Sequence, residues 1–297
     1  MKKAFLFTSV LLACVLLFVS CELTGTAPSK GTLHVVAMGD NFTGRSDIKS
    51  LSSCENDAEA VCQVFDYWGK KAGMETDIHN CSGTYCEGFD NTLDEVCNSA
   101  RDNDLTVIFI STHGSNEIKR PVPYSSSNTD NAFFVLEKQR TTELAYIYDS
   151  ELMEVAQATR GKVLILADFC YSGAVIPQDN FTYNRLNYTD SGPLTLFFDS
   201  TPATDSNKVF ILASSTYYEQ SWAGFPLSAF TNCLLRSMGL VSYNASTDTA
   251  TVSSDAPVLK HDRIILSDVY NYVYKQTSPS QTPQMNTGAS DLILFSL

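Results

Sequence analysis

Val163-Leu-Ile-Leu-Ala-Asp168-Phe169-Cys170-Tyr171-Ser172-Gly173 is an unbroken apolar run that ends abruptly in an acid, a thiol and a glycine turn. A second stretch has the same form: Thr106-Val-Ile-Phe-Ile-Ser-Thr-His113-Gly114-Ser115. Consecutive large and β-branched residues leave no polar face, so each run reads as a short strand buried on both sides. Such strands belong to parallel sheets, whose ligands bind beyond the carboxyl ends. The two runs therefore predict His113-Gly114 and Asp168-x-Cys170-x-Ser172-Gly173 at one rim. An imidazole and a thiol brought together are the minimum equipment of a cysteine nucleophile.

Outward from these strands, the pattern alternates. Thr32–Gly39 predicts a first strand, Asn56–Lys71 a helix with apolar positions 58, 61, 62, 65 and 68, and Met74–His79 a second strand. Leu93–Ala100 predicts a helix, Ala132–Glu137 a hairpin arm, and Asp149–Thr159 a helix capped by Asp149 or Ser150. Lys208–Ser214 follows as a strand, Leu227–Met238 as a helix, Val241–Pro257 as a polar insertion, Ile264–Tyr274 as a helix and Asp291–Ser296 as a last strand. Strands alternating with helices imply right-handed crossovers and a mainly parallel sheet. Pro177–Asn207 is rich in Asn, Thr, Asp, Ser and Pro and reads as a long linker loop.

The 297 residues carry a formal charge of −13, which is unlike a nucleic-acid-binding surface. Lys2 and Lys3 precede an apolar stretch, Ala4–Val19, too short to span a bilayer comfortably, so residues 1–20 read as a signal peptide. Phe18-Val19-Ser20-Cys21 resembles a bacterial lipobox, with Phe18 where Leu is preferred. Cys21 is the expected lipidation site, residues 21–31 a flexible tether, and the cell envelope the expected location; the other reading is ordinary cleavage near Cys21 without a lipid. Beyond Cys14 and Cys21, seven cysteines remain, at 54, 62, 81, 86, 97, 170 and 233. An odd number in an exported chain predicts one free thiol, with Cys170 the natural candidate, and up to three disulfides of undetermined pairing. No paired C-x-x-C elements occur, so no metal is expected.

Taken in order, several segments resemble one family. Ser53-Cys54-Glu55-Asn56-Asp57-Ala58, Ser111-Thr112-His113-Gly114, Asp168-Phe169-Cys170-Tyr171-Ser172-Gly173, Ile211–Glu219 with Ala229-Phe230-Thr231, and Gln281-Thr282-Pro283 resemble the caspase-like cysteine peptidases, specifically their metacaspase-like bacterial branch. The resemblance covers nearly everything after Gly31. It implies a three-layer α/β/α sandwich around a mainly parallel sheet of about six strands, spanning residues 32–297. It assigns Cys170 as nucleophile, His113 as general acid and base, and the backbone N–H groups of Gly114 and Cys170 as the oxyanion hole. Cys54, Asp57, Ser111 and Asp168 correspond to the wall of the pocket for the side chain before the cut.

Two carboxylates in one pocket call for a cation, which predicts cleavage after Arg or Lys, with Arg favoured for its two-pronged hydrogen bonding. Caspases that cut after Asp use pocket arginines, and the matching segments contain none. No cofactor is expected. Calcium activation, which occurs in some metacaspases, is left open because no EF-hand-like loop is present. The implied partners are protein or peptide substrates and, through the lipid, a membrane; the implied state is a monomer. Arg185, inside the linker, is a candidate for self-cleavage. Two alternatives stand beside this reading: a catalytically silent caspase-like binding or assembly module, and a peptidase of the same clan, legumain- or gingipain-like, with a different pocket.

Overall fold

The computed structural model describes residues 30–115, 133–139, 142–176, 208–216, 218–286, 289 and 292–297. A boundary divides the chain into Met1–Lys30 and Gly31–Leu297, and the fold is that of the second unit. The signal peptide, Cys21, most of the tether, residues 124–130 and the linker 177–207 lie outside the described residues.

In chain order the elements are β1 (Thr32–Gly39), α1 (Cys54–Lys71), β2 (Glu75–Asn80), α2 (Tyr85–Ser99), β3 (Leu105–Ser111), β4 (Gly114–Ser115), β5 (Phe133–Glu137), β6 (Leu144–Tyr148), α3 (Asp149–Ala158) and β7 (Lys162–Asp168). A 3₁₀ turn at Ser172–Val175 follows. Then come β8 (Val209–Ala213), α4 (Ala229–Ser237), β9 (Leu240–Asn244), β10 (Thr249–Val252), β11 (Arg263–Ile265), α5 (Leu266–Thr277), β12 (Gln284–Met285) and β13 (Ile293–Ser296).

A six-stranded sheet runs in the order β12-β8-β7-β3-β1-β2. Every pair in it is parallel except β12 with β8. Strand alternation sends successive side chains to opposite faces. Leu33, Val35, Ala37, Val107, Phe109, Leu164 and Leu166 join one core with residues of α1, α4 and α5. Val36, Met38, Ile108, Ile110, Ile165 and Ala167 join a second core with α2 and α3. The result is the expected three-layer sandwich. Both faces are covered by helices, which is why the central strands carry unbroken apolar runs.

Local expectations differ from the structure in places. α2 starts eight residues earlier than expected, at Tyr85, because Phe89 extends the apolar stripe of Leu93, Val96 and Cys97 past a polar interval. α3 starts at Asp149 itself, so Tyr148 is the N-cap, and its N–H donates to Glu151 Oε2 at 2.7 Å. The insertion 241–257 contains a hairpin of β9 and β10. Arg263–Ile265 is a strand, and it pairs antiparallel with β13 in a small separate sheet, so the last strand does not extend the main one. The arm at 133–137 is the centre of a three-stranded sheet with β4 and β6.

The disulfide expectation is corrected: all seven cysteines of the domain are free thiols, and those at 54, 62, 81, 86 and 97 are buried. They pack as small apolar side chains. Among the described residues, no helix is long and apolar enough to cross a membrane.

Candidate active site

The carboxyl ends of three neighbouring strands align in register, Gly39 beside Ser111 and Ser111 beside Asp168. The order of the sheet reverses at β1 and β3: the chain runs out to β2 on one side of β1 and returns to β3 on the other. A crevice opens outside the strand ends at such a point. Close packing there is enforced by glycine. A Cβ on Gly39 would strike the carbonyl of Cys54, and a Cβ on Gly114 would lie 2.5 Å from the Cys170 carbonyl oxygen and 2.5 Å from Phe169 Cδ2. The backbone after His113 therefore rests directly on the backbone at Cys170.

His113 leaves β3 and is seated from several sides. Its carbonyl accepts the Val135 N–H at 2.9 Å, and the Thr112 hydroxyl donates to Val135 O at 2.6 Å. The Phe42 ring lies against the imidazole with centroids 5.2 Å apart. Nε2 stands 2.6 Å from the Lys49 carbonyl oxygen. A carbonyl only accepts, so Nε2 carries the proton and Nδ1 is the basic nitrogen.

The loop that supplies Lys49 is pinned at its base. Asp40 accepts the Phe42 N–H at 3.0 Å and the Glu137 N–H at 2.8 Å, and Asn41 accepts the N–H groups of Leu51 and Cys54, both at 2.9 Å. Burial raises the Asp40 carboxyl above its ordinary range despite these donors.

Cys170 follows β7 and is half-buried. The next residue, Tyr171, adopts φ 63°, ψ 20°, a left-handed conformation costly for a bulky side chain. Tyr171 N–H donates to Glu219 O at 2.8 Å and Ser172 N–H to Phe169 O at 3.2 Å, which hold the turn. Among the described residues, no backbone carbonyl accepts the Cys170 N–H. The thiol points to the Ser221 carbonyl at 3.9 Å. Burial pushes the thiol up, and the negative Asp168 adds to this, so the resting group is a protonated thiol that needs a base.

A cleft joins these parts. Its lining includes Leu51, Ser53, Cys54, Ser111, His113, Asp168, Cys170, Ser221, Trp222 and Ser228. Of the four pocket residues named from sequence, Cys54, Ser111 and Asp168 reach this surface. Asp57 does not: it is fully buried one layer behind, with Oδ2 accepting from the Ser111 hydroxyl at 3.0 Å and Oδ1 from the Ser228 N–H at 2.8 Å. Asp168 accepts from the hydroxyls of Ser221 and Thr231, each at 2.8 Å, and from that of Ser228. Burial raises both carboxyls above their ordinary range, and the Asp168 charge raises Asp57 further.

Sequence reading missed Ser221, Ser228 and Thr231, the hydroxyls that clothe Asp168. Ser228 had a signal: a serine directly before Ala229-Phe230 is an N-cap pattern, and its Oγ accepts the Thr231 N–H at 3.0 Å. It missed Gln281 as a strut as well. Gln281 Oε1 accepts the Trp222 N–H at 3.0 Å, while Nε2 donates to Ser214 O at 2.7 Å and Ser221 Oγ at 3.1 Å. Lys49 acts through its main chain and left no signal. Among the described residues, no group of three or more His, Cys, Asp or Glu is placed to hold a metal ion.

Comparison with known proteins agrees with this fold. A family profile described as the Caspase domain matches residues 34–291. No curated protein sequence matches the chain. Among solved structures, a Geobacter sulfurreducens protein superposes with a TM-score of 0.53 at 16% identity, covering 86% of this chain and 92% of that one. Caspase-1 from Spodoptera frugiperda superposes with a TM-score of 0.50 at 12% identity, covering 90% of each chain.

Proposed function

Since the chain belongs to the Caspase domain family, whose peptidase fold implies protein or peptide substrates, we propose that it is an exported, envelope-anchored cysteine endopeptidase of the metacaspase-like branch that cuts after Arg or Lys. One observation carries the specificity: Asp168 lines the cleft, Asp57 lies buried directly behind it, and among the described residues neither forms an ion pair. Two carboxyl groups clothed only in neutral donors are a receptor for a cation. A guanidinium or ammonium entering the cleft meets Asp168 directly and Asp57 through the Ser111 and Ser228 bridges.

Catalysis in this reading starts with the Cys170 thiol proton passing to Nδ1 of His113. The thiolate sulfur attacks the scissile carbonyl carbon, and the oxygen takes the negative charge under the N–H groups of Gly114 and Cys170. Collapse expels the amine, which takes the proton from His113. Water then attacks the acyl-enzyme with His113 as base, which releases the carboxylate product and restores the thiol. The Lys49 carbonyl keeps the imidazole in the tautomer these steps need. Cys21 would carry the lipid, and the enzyme would act as a monomer.

A panel of peptide reporters on the mature protein, with Cys170→Ala as control, tests the proposal. Arg- and Lys-terminated reporters are cut and Asp- and Asn-terminated ones are not. Equal hydrolysis by the Cys170→Ala variant would remove the mechanism. Fatty-acid labelling lost in Cys21→Ser tests the anchor.

A further inference from the structure

The wiring between the two pocket carboxylates carries a consequence for how a substrate binds. Ser228 touches both. Its N–H donates to Asp57 Oδ1 at 2.8 Å, and its hydroxyl donates to Asp168 Oδ2. The same Oγ accepts the Thr231 N–H at 3.0 Å, so Ser228 is anchored at the start of α4 while its hydroxyl donates to Asp168. The other titratable groups coupled to the pair are the Cys54 thiol from α1, which feels both carboxylates, the Tyr243 phenol from β9, which feels Asp57, and the Cys170 thiol, which feels Asp168. Among the described residues, none of these groups is a cation.

Hydrogen bonds from neutral donors lower the cost of one buried charge, but two like charges sharing an enclosed site repel through a low dielectric. Retaining a proton is the less costly state. Asp57 has the means to hold it. It is the more enclosed of the two, and its partner Ser111 can turn its hydroxyl to accept a proton from Oδ2 instead of donating to it. Ser111 also lines the cleft, so this reversal is felt where a substrate side chain sits.

We propose that the empty pocket keeps one proton on the Asp57–Asp168 pair, and that a cationic side chain entering the cleft expels it to solvent, with Ser228 and Ser111 as the positioning residues that couple the two carboxylates. This rests on the Arg/Lys reading above. Charge balances: the pocket goes from −1 to −2 as the ligand brings +1, and one proton passes to the buffer. The selectivity is sharpened, because a neutral side chain of the same shape cannot displace the proton.

The Cys170→Ala protein, which cannot turn over, is titrated calorimetrically at pH 6.5 with a peptide amide ending in Arg, in three buffers of different ionisation enthalpy. The expected result is about one proton released per peptide bound, with affinity rising about tenfold per pH unit below the upper titration of the pair. Adding Asp57→Asn abolishes the release and flattens the affinity–pH profile. Binding of the Arg peptide with no proton released overturns this proposal and leaves the Arg reading standing. Failure to bind Arg or Lys peptides, with an Asn- or Asp-terminated peptide bound instead, removes both.

Discussion

The imidazole of His113 is held through Nε2 by the main-chain carbonyl of Lys49, 64 residues earlier in the chain, at 2.6 Å. A carbonyl, rather than a carboxylate, fixes the tautomer without adding charge to the cleft. The orientation of the base thus depends on the loop between β1 and α1, and the residue of that loop lying against the ring is Phe42, which is fully buried. Replacing Phe42 with Ala should cost about 3–5 kcal/mol of stability through the cavity it leaves. It should also lower kcat about tenfold or more through loosened orientation, with KM little changed. Denaturant unfolding and steady-state kinetics on an Arg reporter separate the two effects.

Gly114→Ala should be damaging for a steric reason. Its Cβ would lie 2.5 Å from the Cys170 carbonyl oxygen, and backbone cannot yield as a flexible side chain would. Overpacking of this kind costs about 1–3 kcal/mol. A displacement of about 1 Å at reacting groups lowers the rate about a hundredfold. A variant with undiminished kcat would show that the two loops do not meet as described.

Gln281→Leu should raise KM for the Arg reporter. The amide joins Ser214, Ser221 and the Trp222 N–H, so it sets the wall of the cleft that Ser221 and Trp222 form. Each buried partner left unsatisfied costs about 1–3 kcal/mol. The rise in KM should exceed any fall in kcat, because the amide holds Ser221 and Trp222 of the pocket wall directly and reaches the Cys170 loop only through Ser214 and Ser221.

The raised carboxyls predict a pH dependence of stability. For Asp57, Asp168 and Asp40 the folded-state values lie above the ordinary 3.8. The stability they contribute is fully present below that pH and is lost as pH rises through the folded-state values. Asp57→Asn should therefore match the parent protein near pH 4 and become the more stable of the two by pH 8, read from urea midpoints. The opposite order at pH 8 would mean that Asp57 is stabilised as an anion.

Thiol counting tests the redox state. Only Cys170 and Cys233 are partly exposed among the seven, so two thiols should react in the native domain and seven after unfolding without reductant. Cys170 should label faster as pH rises, since burial raises its thiol. Fewer than seven in the unfolded domain would reveal disulfides.

Much of this architecture is written in local pattern. The buried runs at 33–38, 105–110, 163–167 and 209–213 announce central parallel strands because only a sheet covered on both faces tolerates them, and the His-Gly and Cys-x-Ser-Gly endings follow at their rims. The short strand at 263–265 was hidden because its apolar residues fit a helical stripe equally well.

Other features have no local signature, since they arise between residues far apart in the chain. The Lys49 carbonyl meets His113 across 64 positions, Asp57 meets Ser228 across 171, and Asp168 meets Thr231 across 63. Residue order showed which groups had the chemistry and roughly which rim they would share, because hydrophobic periodicity is a short-range property. Which carboxylate faces the cleft, which lies sealed behind it and which hydroxyls join them depended on the packing of α1 and α4 against the strand ends. Burial and hydrogen bonding are properties of neighbours in space, and those neighbours exist once the chain has folded.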